Sequence, residues 1–383
     1  MELTGRVVAA AREHVLQQYG SAIGRPRREL VTPALVLDVA AAERNIIAMQ
    51  RRLEAMGSTT IRPHYKTHKS PELARRQIVA GARGISVATV WEAEVLADAG
   101  MDDLFVVNTV CNPDKLRVLA RLARDRRILV AVDDTANATA LSDAARDAGS
   151  TVGMLVEVDT GMDRCGVDTG DEALALARHV LQLPRVRFEG LTGYEGHCSL
   201  EFDLDTRHEL QQKAMRHFNA VADLLESQGV PCLIRSAGGF STWQWTAATP
   251  GITEIQAGTY VLMDGYYARM VEGFEQALTV QASVISRSSG RVVVDCGSKS
   301  VAEGNMASIV GHDCEPFRFD EEHGIFGASD RCALKVGDSV TLIPGYAPST
   351  VNCYDAYHIV QDDVVVDIWP VVPRGPGSGF ATP

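Results

Sequence analysis

Arg62-Pro63-His64-Tyr65-Lys66-Thr67-His68-Lys69 closes a β-branched and aromatic run, Thr59 to Tyr65, immediately before a helical pattern that begins near Pro71. This places Lys66 at the carboxyl end of a strand, where α/β folds build their sites. A lysine flanked by imidazoles and a second lysine is a candidate for Schiff-base chemistry. Neighbouring positive charge and partial burial lower an amine's pKa and free its lone pair. The competing reading of the octapeptide is a solvated basic face.

Outward from this stretch, short β-rich runs alternate with helical patterns from about residue 32 to 265. The expected strands are Ala34–Val39, Thr60–Tyr65, Ile85–Thr89, Leu104–Thr109, Ile128–Val132, Met154–Asp159, Phe188–Tyr194 and Cys232–Ala237. Amphipathic segments such as Ala40–Met56, Glu92–Ala99, Asp114–Arg124 and His208–Gln228 separate them. Eight β–α units predict an α/β fold of the (β/α)₈ TIM-barrel type. A doubly wound sheet would want a Gly-rich dinucleotide loop after its first strand, and Leu37-Asp38-Val39 leads into none. Past residue 270 the texture becomes all-β: Leu278–Ser286 and Val292–Asp295 flank Ser288-Ser289-Gly290, a hairpin signal, and Val340–Ile343, Tyr357–Val360 and Val364–Trp369 continue the pattern. The expected organisation is a helical extension over 1–30, a barrel over 31–270 and a C-terminal β domain over 271–383, closing in a poorly ordered Pro373–Gly379 tail.

The 383 residues suffice for a large barrel plus a smaller domain. A net charge of −12 argues against nucleic acid or an anionic membrane as partner. No apolar run is long enough to span a membrane, and the charged N-terminus, Met1 to Tyr19, reads as an amphipathic helix rather than a signal peptide. The eight cysteines are scattered with no CxxC pair, which suggests reduced thiols and a cytoplasmic protein.

Polar residues gather at the expected strand ends. Asp159-Thr160-Gly161-Met162-Asp163-Arg164-Cys165-Gly166 follows the sixth run, Tyr194-Glu195-Gly196-His197 ends the seventh, and Ser236-Ala237-Gly238-Gly239-Phe240-Ser241-Thr242 ends the eighth. The last has the composition of a phosphate cradle, in which small residues let backbone N–H groups approach an anion and hydroxyls add donors. A lysine on the same rim as such a cradle points to a phosphorylated carbonyl ligand, and pyridoxal 5′-phosphate fits that description.

Thr32-Pro33-Ala34-Leu35-Val36-Leu37-Asp38, the Arg62–Lys69 octapeptide and Asp159–Gly166 resemble the alanine racemase-type (fold type III) pyridoxal-phosphate enzymes. Ser236–Gly239, Glu254-Ile255-Gln256-Ala257-Gly258-Thr259-Tyr260 and Met263-Asp264 resemble more narrowly the D-threonine aldolase / D-serine dehydratase branch. The resemblance implies that Lys66 is the Schiff-base lysine and that Ser236, Gly238, Gly239, Gly258, Thr259 and Tyr260 surround the phosphate. It further implies that Arg164 reaches the cofactor's phenolic oxygen and that Tyr194 lies near the ring nitrogen. A homodimer with shared active sites is expected from it.

The chain departs from that branch at one place. Metal-using members carry a His and an Asp or Cys two residues apart just before a Thr-Val-Asn segment. Here Pro344-Gly345-Tyr346-Ala347-Pro348-Ser349-Thr350-Val351-Asn352 puts Tyr346 and Pro348 at those positions. Proline has no donor and tyrosine is a rare ligand, so no metal site is expected there. Cys353, Asp355 and His358 are the residues from which a relocated site would have to come. Without the metal, His197 is the first candidate for the base at the substrate's β-hydroxyl, with His312, His323 and the Tyr346 hydroxyl as alternatives. Trp243 and Trp245 either wall a pocket or pack beneath the rim. The expected activity is a lyase cleaving a small D-β-hydroxy-α-amino acid by a retro-aldol reaction. The alternatives are β-elimination, as by a D-serine or D-phenylserine dehydratase, racemisation, and a non-catalytic cofactor-binding protein.

Overall fold

The structure, a computed structural model, describes residues 5–57 and 59–375. It divides into two compact units, one comprising Met49–Tyr65 and Gln77–Gly258, the other comprising residues 5–48, 66–76 and 259–375 among those described. The first strand of the chain, β1 (Ala34–Asp38), belongs to the second unit.

The next eight strands build the first unit: β2 (Thr60–Ile61), β3 (Ile85–Val87), β4 (Asp103–Val106), β5 (Arg127–Val132), β6 (Val152–Val158), β7 (Val186–Gly193), β8 (Ile234–Ala237) and β9 (Glu254–Ile255). They are parallel in the order β2-β9-β8-β7-β6-β5-β4-β3. A bridge from His64 to Ser86, with Arg83 N–H donating to Ile61 O at 2.9 Å and Ser86 N–H to Pro63 O at 2.9 Å, brings β3 round to β2 and closes the ring. Such strands are covered on both faces, so they read as unbroken apolar runs; β6, Val-Gly-Met-Leu-Val-Glu-Val, is buried throughout. The intervening helices start where their sequences offer caps. Thr89 with Glu92 and Thr169 with Glu172 form capping boxes, Asn112 and Asp134 accept N–H bonds from the first turns, and Gly149 ends its helix left-handed at φ 68°.

Inside the ring, Phe105, Leu129, Ala131, Leu155 and Ile234 pack as an apolar layer. Two residues further along β6 and β8, on the same strand faces, stand Glu157 and Ser236, with Thr192 in register beside both. Gln256 Nε2 donates to Thr192 Oγ1 at 3.0 Å and to Ser236 Oγ at 2.9 Å, completing a polar layer at the carboxyl ends. Level with Leu155 and Ile234 of the apolar layer, β7 bulges at Gly190 (φ 143°), where a Cβ would overlap the Ile234 carbonyl.

At the opposite end lies a buried ionic network. Arg62, fully buried, donates from Nε to Glu254 at 2.9 Å and from Nη1 to Asp103 at 2.6 Å. Arg127 carries it onward to Asp103 at 2.8 Å and Glu189 at 3.2 Å. Four strands, β4, β5, β7 and β9, are thereby tied to the end of β2.

In the second unit, β1 pairs antiparallel with β10 (Leu278–Ser288) and parallel with β16 (Ala356–Gln361). The remaining strands are β11 (Arg291–Val294), β12 (Ser308–Ile309), β13 (Cys314–Phe319), β14 (Gly324–Ala328), β15 (Ser339–Ile343) and β17 (Val364–Pro370), in the order β13-β14-β11-β10-β1-β16-β17 with β15 joining β10 to β12. The N-terminal helix Arg6–Tyr19 packs Val15 with Val36, Val365 and Ile368, and Arg12 pairs with Asp367 at 3.0 Å.

Two expectations are corrected. Ala34–Val39 is not the first barrel strand. Its four buried apolar residues suit any central strand, and only the pairing partners assign it. The eighth barrel strand is instead Glu254–Ile255, whose two residues are too few to show a period. Residues 311–324, which carry His312 and His323, contribute the largely exposed edge strand β13, with Pro316 at a bulge where a ladder N–H is not needed. The expected hairpin at Ser288–Gly290 is present, with Gly290 at φ 73°. Of the expected tail, Pro373–Gly375 is anchored, Arg374 to Asp355 at 2.7 Å and Gly375 N–H to Asn352 at 3.1 Å; the rest lies outside the described residues.

Removing one partner of a buried ion pair strands the other. Arg62→Met is expected to cost about 3–5 kcal/mol in denaturant unfolding. The Arg62→Met/Glu254→Gln double variant should lose less than the sum of the singles, by roughly 1 kcal/mol or more. Additive losses would show that the pair does not couple.

Candidate functional site

The octapeptide is not a solvated face. Every residue from Ile61 to Ser70 is buried except Lys66, which is half-buried in the short 3₁₀ turn Tyr65–Thr67. Within the second unit the stretch after Lys66 is held from the C-terminal end of the chain. Tyr357 Oη donates to His68 O at 2.6 Å, Val372 N–H to Lys69 O at 2.7 Å, and Lys69 Nζ to Pro373 O at 3.0 Å. Lys69 takes a left-handed φ of 46° that an L side chain adopts only when its surroundings impose it. The second lysine is thus a strut. Thr259 and Tyr260 are buried in the same unit, where Tyr260 lies 6.1 Å from the Phe274 ring.

In the first unit the loops after β6, β7 and β8 meet. Asp159 folds the first of them by accepting the N–H groups of Gly161 (2.7 Å), Met162 (2.8 Å) and Arg164 (3.3 Å). The Arg164 guanidinium lies 5.6 Å from the Tyr194 ring centroid and 4.0 Å from Glu157. Burial, opposed by Arg164 and reinforced by Asp133 and Asp159, pushes the Glu157 carboxyl up to about 7. Burial, with the Glu195 charge beside it, pushes the Tyr194 phenol up to about 12. His197 is half-buried beside Gly161, where a Cβ would fall 3.1 Å from its ring. Its Nδ1, like Thr160 Oγ1, is buried without a hydrogen-bond partner among the described residues.

The loop after β8 is the segment whose composition suggested a phosphate cradle. Gly238 takes φ 87°, and a Cβ on Gly239 would fall 2.9 Å from the Tyr194 ring. At Gly239 the absence of a side chain is therefore required by Tyr194 itself. Glu195, also buried, accepts from Gly238 N–H at 3.2 Å, Thr242 Oγ1 at 2.8 Å and Thr246 Oγ1 at 2.7 Å. Arg164, Tyr194, His197, Gly238 and Gly239 are thus brought together, with Ser236 in the polar layer beneath and Gly258 just beyond β9. Glu157, Glu195 and Gln256 belong to this group but were not singled out from the sequence. Only their place directly at strand ends, next to residues that were, offered a signal.

Tyr346 lies in the second unit, its ring 6.3 Å from Tyr266 and 6.4 Å from Tyr267, at the N-cap of the short helix Ala347–Val351. Pro348 sits in that helix's first turn, where a missing N–H costs nothing. Buried Asp264 anchors the turn, accepting Ala347 N–H and Tyr267 N–H at 2.8 Å each, and burial raises its carboxyl to about 7. The relocated-ligand set is dispersed among other partners. Cys353 Sγ donates to Ser349 O, Asp355 pairs with Arg374, and His358 Nδ1 meets Leu35 O at 3.1 Å. His312 and His323 are exposed, Trp243 is buried, and Trp245 stacks on His208 at 4.5 Å.

A closed parallel barrel and a largely antiparallel sheet, with one accessible lysine in an otherwise buried stretch, define an alanine racemase-like fold. Residues 37–265 match the family described as alanine racemase, N-terminal domain, and 277–360 match a serine dehydratase domain. The chain belongs to this family and is a pyridoxal-phosphate-dependent lyase. It is 38% identical to a D-threonine aldolase of Arthrobacter sp, over 92% of this chain and 95% of that protein. It is 30% identical to the D-threo-3-hydroxyaspartate dehydratase of Delftia sp. strain HT23, over 89% and 97%. The crystal structure of D-threonine aldolase from Filomicrobium marinum superposes with a TM-score of 0.88 at 34% identity, covering 92% of this chain and 98% of that one.

A raised Glu157 pKa means that the folded protein keeps a proton the unfolded chain releases between about 4.5 and 7. Stability is therefore expected to fall as pH rises through that window and to level off above it. Glu157→Gln should flatten this slope in urea midpoints measured from pH 4.5 to 8. An unchanged profile would mean that Glu157 ionises normally.

Proposed function

We propose that this chain cleaves a D-configured β-hydroxy-α-amino acid between Cα and Cβ, as a D-threonine aldolase does. The observation that carries this reading is the 38% identity to such an aldolase along nearly the whole chain. The residues present fit the cofactor of the family. Gly238 and Gly239 leave a loop that Tyr194 and the left-handed backbone keep free of side chains, and buried polar atoms on Thr160 and His197 await a partner.

Lys66 would hold the cofactor by its aldehyde carbon, and Ser236, Gly238, Gly239, Gly258, Thr259 and Tyr260 would surround the phosphate. Arg164 would hold the phenolic oxygen and Tyr194 the ring-nitrogen side. Bound there, the cofactor ring supplies an electron sink for the pair left on Cα. His197 takes the β-hydroxyl proton on its unpartnered Nδ1. Tyr346 offers a hydroxyl donor in the segment where metal-using members carry a ligand. With tyrosine and proline at those positions, the reaction proceeds without a divalent ion from that segment. This favours C–C cleavage over β-elimination, which must expel hydroxide, a poor leaving group.

The same reading makes the protein a cytoplasmic homodimer acting on a small amino acid. A net charge of −12 speaks against nucleic-acid partners. Among the described residues, no helix is long and apolar enough to cross a membrane.

Purified protein is expected to be yellow, and Lys66→Ala to lose the visible absorbance. Incubation with D-threonine, D-serine and D-phenylserine should release glycine and an aldehyde. Ammonia and a 2-oxo acid instead would reassign the chain to the dehydratases. Activity should survive EDTA, and strict dependence on a divalent ion would overturn the metal-free reading. His197→Asn should lower kcat by about 10²–10⁴-fold.

A further inference from the structure

Glu195 is a carboxylate at 1% exposure, two residues after β7, and all three of its donors come from the single segment 238–246. Oε2 accepts the Gly238 N–H, while Oε1 accepts both the Thr242 and the Thr246 hydroxyls. Thr246 Oγ1 in turn accepts from Gln211 Nε2 at 3.1 Å, which ties the cluster to the long helix Leu204–Ser227. Gly238 is held at φ 87° with no room to spare: a Cβ there would fall 3.0 Å from Ile255 Cδ1 and 3.2 Å from Thr246 Cγ2.

An anion buried beside an anion-binding loop is electrostatically unfavourable unless its charge is spread over strong donors. Here three donors spread it, and each bond also restrains the loop. The Gly238 N–H, which composition alone would assign to the phosphate, is turned to the protein's own carboxylate. What remains for the ligand is the shape of Gly238–Thr242, and Glu195 sets that shape from beneath.

We propose that Glu195 is a positioning residue for the phosphate of the cofactor: it clamps the Gly238–Thr242 turn through Gly238 N–H and Thr242 Oγ1 without touching the ligand. This rests on the pyridoxal-phosphate reading of the site. Glu195→Gln is the direct probe. The amide oxygen can keep the threonine bonds, but the amide N–H₂ faces the Gly238 N–H donor against donor.

The test titrates apoprotein with pyridoxal 5′-phosphate and, separately, with pyridoxal, which has the aldehyde and ring but no phosphate. Visible absorbance reports uptake, and thermal unfolding of the apoprotein is followed in parallel. Glu195→Gln should weaken pyridoxal phosphate by about tenfold or more, as loss of a hydrogen bond to a charged group does, and leave pyridoxal within about twofold. If Glu195→Gln does not fold, Thr242→Val decides, with a smaller loss showing the same split between the two ligands. Equal losses for both ligands, or no loss for either, would overturn the proposal. Wild-type protein that takes up neither ligand would instead refute the cofactor reading beneath it.

Discussion

The barrel depends on an arginine with no water around it. A guanidinium at zero exposure carries a desolvation cost that only well-placed carboxylates offset, and Arg62 has two, Glu254 and Asp103. These come from β9 and β4, strands far apart in sequence, so the pairing can form only when the ring has closed. Gly84 keeps space for the guanidinium, since any side chain there would collide with it. The interaction therefore specifies register at the end of β2, four residues before Lys66 in the chain. A charged group was used where an apolar one would have been easier to bury, and its directional bonds suit it to selecting one closure among several.

Above this network the barrel interior changes character layer by layer. Phe105, Leu129, Ala131, Leu155 and Ile234 exclude water, and the next layer is polar, with Glu157, Thr192, Ser236 and Gln256. Strand geometry makes this abrupt, because successive inward positions are two residues apart. Two buried carboxylates then diverge by environment. Glu157 has a distant guanidinium and an unpartnered oxygen, so burial dominates and its proton is retained to about 7. Glu195 is met by three donors and serves as an anchor. Glu157, inside β6, thus holds its proton to a raised pH, whereas Glu195, after β7, fastens a loop.

Much of this was legible beforehand. Alternating apolar and amphipathic runs announced a barrel, and seven of its eight strands lie where the periodicity placed them. The count of eight was right for a reason that was partly wrong. Ala34–Asp38 is an apolar run like the others, yet it pairs with β10 and β16, while the true eighth strand is two residues long. A run of buried residues states that a strand is central without stating to which sheet. The octapeptide shows the same limit. Its charges suggested mutual electrostatic tuning of Lys66, whereas Arg62 is spent on barrel closure and Lys69 on the Pro373 carbonyl.

By itself the sequence determined the periodicities, the glycines at turns and the placement of Lys66, Arg164, Tyr194 and His197 at strand ends, because local spacing encodes local structure. It also carries Tyr346 and Pro348 at the two positions where the resemblance leads one to expect metal ligands, an expectation that rests on residue identity alone. Only the tertiary structure decided which charges are buried partners and which side chain of the basic stretch stays accessible. It alone turned the Gly238 N–H toward Glu195. These outcomes depend on contacts between residues tens to hundreds of positions apart, and no window along the chain contains both partners.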